Sequence, residues 1–104
     1  MRGSIVLLPF PHTDLSTAKI RPALVLKKLD GSDAILCMLT TNLSSKHAIK
    51  ISQKDVKQGT LKKECNVRPD RLFTADTETF IDKVCTLNDV KMEEILQQVT
   101  SLFS

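Results

Sequence analysis

The sequence predicts a mainly β domain, a small barrel or curled sheet with a single helix at its C-terminal end. Three observations carry this expectation. Short apolar runs recur between turn signals as far as Leu87. Asp30-Gly31-Ser32-Asp33 sits between two such runs as a hairpin signal. The one sustained helical stripe comes last, from Met92 to Phe103.

Taken in order, Ile5-Val6-Leu7-Leu8 reads as a buried first strand. Pro9 and Pro11 forbid a helix there and are expected to open a loop, Phe10 to Lys19. That loop exceeds the usual two to five residues of a hairpin connection, about the range where loops become functional. The second strand is expected over Arg21 to Lys28 and the third over Ala34 to Thr41, antiparallel through the hairpin turn. Asn42 to Lys46 reads as a polar loop. Ile49 and Ile51 alternate with Ala48 and Lys50, as on a half-exposed strand. Ser52-Gln53-Lys54-Asp55 matches a helix start, and Gly59 suits a helix end, so a helix of one or two turns is expected between them. Cys65 to Pro69 and Phe80 to Leu87 read as two further strands. Asn88 is a capping residue, and Asp89 complements the positive end of the helix dipole. Met92, Ile95, Leu96, Val99, Leu102 and Phe103 then recur at helical spacing, so the stripe packs on the sheet.

Composition excludes several classes. The chain has 104 residues, which fits one domain over 1–104. Hydrophobic residues make up 41% and charged residues 26%, ordinary values that argue against disorder. No run approaches the ~18 apolar residues of a membrane span. The N-terminal stretch lacks the apolar core and cleavage site of a signal peptide. Cys37, Cys65 and Cys85 are odd in number and widely spaced, which fits reduced thiols in a cytosol, two in the core and one partly exposed. Trp and Tyr are absent, so stacking of bases on many aromatic platforms is excluded.

Charge is uneven along the chain. Residues 46–71 hold eight basic and three acidic groups, and residues 72–104 hold two basic and six acidic ones. A basic middle and an acidic tail can form a positive face suited to a polyanion, or simply a solvated surface. Phosphate-loop, dinucleotide, zinc-protease and CxxC patterns are all absent. No acidic cluster suits a divalent metal, so neither metal nor other cofactor is expected. His12 and His47 lie in separate segments and could act together only if the fold joins them. Arg21 immediately precedes Pro22, which holds its backbone extended. A guanidinium at that position can bond a phosphate through two parallel N–H groups, or be an ordinary surface residue.

Five segments, taken together, resemble a known family. They are Gly3 to Asp14, Arg21-Pro22-Ala23-Leu24-Val25-Leu26, Ile35 to Thr40, Val67 to Thr74 and Met92-Glu93-Glu94-Ile95. Their order and spacing resemble the MazF/PemK-like toxins of bacterial toxin–antitoxin pairs, from about Gly3 to Phe103. The resemblance implies an SH3-like β-barrel of the CcdB/MazF/PemK type with a C-terminal helix, working as a cytoplasmic homodimer. It implies a metal-independent endoribonuclease that cuts single-stranded RNA through the RNA's own 2′-hydroxyl, leaving a 2′,3′-cyclic phosphate and a 5′-hydroxyl. It further implies a cognate antitoxin whose disordered, often acidic tail lies in the RNA groove. The family's arginine before proline maps onto Arg21, and its threonine after the third strand's apolar run maps onto Thr40.

Lys19, Lys46 and His12 flank that pair in the sequence and are the expected RNA contacts. Arg68 and Arg71 belong to the basic segment, but Asp70 can pair with either in a structural role. His12 stands where the family usually has phenylalanine, and Ser4 where it often has aspartate. His12 falls in the loop that covers RNA in the family, so this departure bears on sequence preference more than on fold. Two other functions fit the same chain. One is a non-catalytic barrel protein, such as a gyrase-directed toxin or a degenerate relative. The other is a module whose basic face binds an acidic partner.

Overall fold

Seven strands form one antiparallel sheet in the computed structural model, which describes residues 1–11, 18–41 and 46–104. The strands are β1 (Ser4–Pro11), β2 (Ala18–Lys28), β3 (Asp33–Thr40), β4 (Ile49–Ile51), β5 (Val56–Gly59), β6 (Cys65–Asp76) and β7 (Asp82–Leu87). Helix α1 (Asp89–Ser101) follows. The mainly β class with a C-terminal helix is therefore correct. No helix among the described residues is long and apolar enough to cross a membrane.

The sheet order is β4-β6-β3-β2-β1-β7-β5, and it dictates the curl. Its two edge strands, β4 and β5, are nearly consecutive in the chain. Only Ser52–Asp55 joins them, and four residues span at most about 15 Å. The edges of a seven-stranded sheet can lie that close only if the sheet rolls into a half-barrel. Gly59 at the end of β5 shows how tight the roll is. Its φ is +89°, and a Cβ there would stand 2.8 Å from the Val84 carbonyl oxygen and 2.9 Å from Cys85 Cα.

That turn is where the sequence reading fails. The expected helix from Ser52 to Gly59 is a single turn of 3-10 helix, Gln53–Asp55, followed by β5. The capping signal itself is real: the Asp55 carboxylate accepts from the Ser52 N–H at 2.9 Å. The chain leaves the turn because Val56 to Gly59 pairs with β7, and those cross-strand bonds outweigh one more turn of isolated helix. The prolines were also over-read. β1 continues through Pro9 and Pro11, opposite Ile20 and Ala18. Beyond Leu7 it pairs with β2 alone, so a residue without N–H is tolerated at that free edge. β2 accordingly begins at Ala18 rather than Arg21.

The hairpin between β2 and β3 forms as expected, with Gly31 at φ +71°. β6 is much longer than Cys65 to Pro69. Its register against β3 jumps from Met38↔Arg68 to Cys37↔Leu72, so Pro69, Asp70 and Arg71 form a bulge. Pro69 is buried within that interruption, where no ladder bond is required of it.

Alternation along the strands divides the core in two. On one face Leu24, Leu26, Cys37, Leu39, Ile51 and Val67 pack with Met92 and Ile95 of α1. On the other, Val6, Leu8, Ala23, Val25, Ala34 and Leu36 pack with Phe10, Phe73 and Phe80. Asn88 caps α1 by accepting from the Lys91 N–H at 2.8 Å. Leu96 and Val99 are half-buried, but Leu102 and Phe103 fall past the helix end and are exposed, contrary to the expected stripe. The cysteines follow expectation: Cys37 and Cys85 are buried and Cys65 is half-buried, all as free thiols. Burial pushes the Cys37 thiol up to about 12 and Cys65 up to about 11.

Candidate functional site

A row of paired residues crosses the sheet near the ends of β3 and β4. Lys50 on β4 pairs with Asn66 on β6, and Asn66 pairs with Thr40, the last residue of β3. On β2, Arg21 pairs with Leu8 of β1. The β2–β3 ladder ends at Ala23↔Met38, two residues short of Arg21 on β2 and of Thr40 on β3. Residues directly opposite each other present their side chains to the same face. By alternation from Ala23 and Met38, Arg21 and Thr40 lie on the same face of the sheet, although eighteen other residues separate them in the chain.

Arg21 is the fourth residue of β2, not its first, with exposed surroundings. Its guanidinium has no ion-pair or hydrogen-bond partner among the described residues. Thr40 is half-buried at the strand end. Lys19, two residues before Arg21 on the same face and opposite Phe10, is also exposed. Phe10 is fixed by an edge-on contact with Phe73, ring centroids 5.0 Å apart. Lys46 is exposed in the turn before β4, outside the paired row. His12 lies outside the described residues, as do most of the loop from Phe10 to Lys19 and residues 42–45.

The second arginine of this face behaves differently. Arg68 donates to Asp70 through Nε at 2.9 Å and through Nη2 at 2.6 Å. Residues two apart on a strand present their side chains to one face, which sets the Asp70 carboxylate beside the Arg68 guanidinium. The Arg68 hydrogen bonds hold the Asp70 carboxyl below the usual carboxylate range, with a smaller contribution from nearby His47. Of the two pairings open to Asp70 from sequence, the structure selects Arg68 and leaves Arg71 exposed. Arg68 thus spends its fork on a neighbour, whereas Arg21 has no such partner among the described residues.

Asn66 was missed by sequence reasoning. It is a buried polar residue in the middle of the row, 4% exposed, and an asparagine beginning a strand gives no signal of its own. Among the described residues, no group of three His, Cys, Asp or Glu side chains could hold a metal ion. A groove of about 470 Å³, lined by Met1, Val6, Phe80 and Ile81 among others, contains neither Arg21 nor Thr40.

Comparison with known proteins bears on this arrangement. No curated protein sequence matches the chain. Solved structures do match in fold. The MazE-MazF complex from Deinococcus radiodurans superposes with TM-score 0.78 at 18% identity, covering 97% of this chain and 92% of that one. An endoribonuclease in complex with its cognate antitoxin from a mycobacterial species gives 0.70 at 15%, covering 99% and 93%. The Mycobacterium tuberculosis toxin MazF-mt6 gives 0.71 at 15%, covering 96% and 95%. The half-barrel with its terminal helix is therefore the fold of these proteins. A family model described as PemK-like, MazF-like toxin of type II toxin-antitoxin system matches residues 1–103. With the match running from the first strand to the end of the helix, the chain belongs to the PemK-like, MazF-like toxin family of type II toxin–antitoxin systems.

Proposed function

We propose that this protein is the toxin of a type II pair and cuts single-stranded RNA at Arg21 and Thr40 without a metal ion. The observation that carries the reading is the Arg21 guanidinium, which has no ion-pair partner among the described residues and lies on the same face as Thr40, while Arg68 of that face is already paired with Asp70. The endoribonuclease names of two similar folds support the reaction class.

In-line attack by the RNA 2′-hydroxyl on the adjacent phosphorus builds negative charge on the phosphorane oxygens. The bond to the 5′-oxygen then breaks, leaving a 2′,3′-cyclic phosphate and a 5′-hydroxyl. Arg21 lies flat against the developing charge and donates to two oxygens at once. A preplaced donor of this kind lowers the barrier by about 3–4 kcal/mol in a partly dry site. The Thr40 hydroxyl donates a further hydrogen bond to the same group. Arg21 stays protonated, so it stabilises charge and cannot take the 2′-proton. His12 is the candidate for that role, and Lys19 and Lys46 hold flanking phosphates. The working form is a cytoplasmic homodimer, restrained by a cognate antitoxin whose acidic tail competes for the same basic face. The MazE-MazF and endoribonuclease–antitoxin complexes support such a partner.

The test uses purified protein, a long unstructured RNA and excess EDTA. Wild type is expected to cut at a short recurring sequence and leave 5′-hydroxyl ends, while Arg21→Ala does not cut. Cutting by both would remove Arg21 from the mechanism and direct attention to His12. A folded wild type that cuts none of several RNAs would replace this reading with a non-catalytic, gyrase-directed or otherwise protein-binding barrel.

A further inference from the structure

Asn66 is 96% buried by the measure of its 4% exposure, yet its carboxamide makes no hydrogen bond to any described residue. The group is not sealed in. Thr86 Oγ1 is the one fully occluded side-chain polar atom without a partner among the described residues, so the Asn66 amide retains a window to the outside. That window is a cleft of about 200 Å³ lined by Thr41, Lys50, Glu64, Cys65 and Asn66. Lys50 and Glu64 pair across it at 3.4 Å, both well exposed, and place a cation and a carboxylate at its mouth.

We propose that this cleft is a base-reading subsite, with Asn66 as a specificity-determining residue for the base next to the cut. The inference rests on the ribonuclease reading and deepens it. A carboxamide offers one acceptor and two N–H donors side by side, the complement of the adjacent donor and acceptor on the open edge of an unpaired base. Position fits as well. Asn66 pairs directly with Thr40, and neighbouring strands lie about 4.8 Å apart, so a base in the cleft belongs to the nucleotide adjoining the phosphate held by Arg21 and Thr40. The chain has no Trp or Tyr, so hydrogen bonding rather than extensive stacking must discriminate bases.

The experiment compares wild type, Asn66→Ala and the near-isosteric Asn66→Asp. Each is given a random-sequence single-stranded RNA pool, and the cut ends are sequenced. In parallel, each selects from an uncleavable 2′-O-methyl random pool by binding. In Asn66→Ala one position beside the cut is expected to lose about 10-fold or more of its base preference, read from the cut ends or from the uncleavable pool, the scale of one good bidentate contact. Asn66→Asp, which exchanges donor for acceptor, is expected to move the preference at that position toward bases presenting an amino group. Unchanged preferences in both variants overturn the proposal, and so does unfolding of both, which would make Asn66 a structural residue. If wild type cuts nothing but its bound pool shows an Asn66-dependent base preference, the ribonuclease reading falls and the subsite stands. If wild type shows no base preference in either assay, the subsite falls however the cutting comes out.

Discussion

On one face of the sheet, Leu24, Cys37, Ile51 and Val67 are sealed beneath Met92 and Ile95 of α1. On the other, the apolar cluster around Leu8, Ala23 and Leu36 gives way toward the strand ends to Lys19, Arg21, Thr40, Asn66 and Lys50. Neighbouring residues of one strand serve the two faces in turn: Leu24 packs under the helix, Ala23 packs opposite, and Arg21 is exposed. A strand's alternation lets stability and chemistry be tuned almost independently, since a change on one face leaves the other's side chains in place. The covered face supplies rigidity, and the uncovered end uses it to hold charged groups in fixed positions.

The sharpest way to break this division is to strike each face separately. Ile95→Ala removes a fully buried side chain and is expected to cost about 2–5 kcal/mol in urea denaturation, with activity per folded molecule unchanged. Arg21→Ala is expected to do the reverse. Cleavage falls by about 10²–10³-fold, while the denaturation midpoint moves by no more than about 0.5 kcal/mol. If Arg21→Ala also destabilises the fold strongly, the two faces are coupled and the division fails. Asn88→Ala, which removes the cap of the covering helix, is expected to lower stability by about 1 kcal/mol with RNA cleavage intact.

The smallest effect concerns the Arg68–Asp70 pair on the uncovered face. The Asp70 carboxyl is held below its ordinary value, so its contribution is present above the unfolded value near 3.9 and is lost as pH falls through the folded one. Asp70→Asn is therefore expected to lower stability slightly at pH 7 and to make no difference at strongly acid pH, read from denaturation at both. A difference that persists in acid would mean Asp70 acts through something other than its charge.

How much of this was legible depends on the range over which each feature is decided. The β2–β3 hairpin, the Asn88 cap and the buried part of the α1 stripe follow from neighbours a few residues apart, and all are present. The segment after Ser52 carried a true capping signal but became a strand, because β7, some 26 residues later, offered Val56 and Gly59 a ladder. Arg21 and Thr40 were identifiable as candidates through the family resemblance. Asn66 was not, since its burial exists only once β3, β4 and β6 come together.

The sequence by itself determined the alternation of apolar residues, the turns that punctuate it and the amphipathic helix at the end. These are local steric and solvation preferences. Tertiary structure alone decided that β4 and β5 become the two edges of one rolled sheet, that Asp70 pairs with Arg68 rather than Arg71, and that Asn66 is buried between Thr40 and Lys50. Each of those depends on strand register, which is set by how distant segments share one buried face, and a single-residue slip would send every side chain to the opposite side.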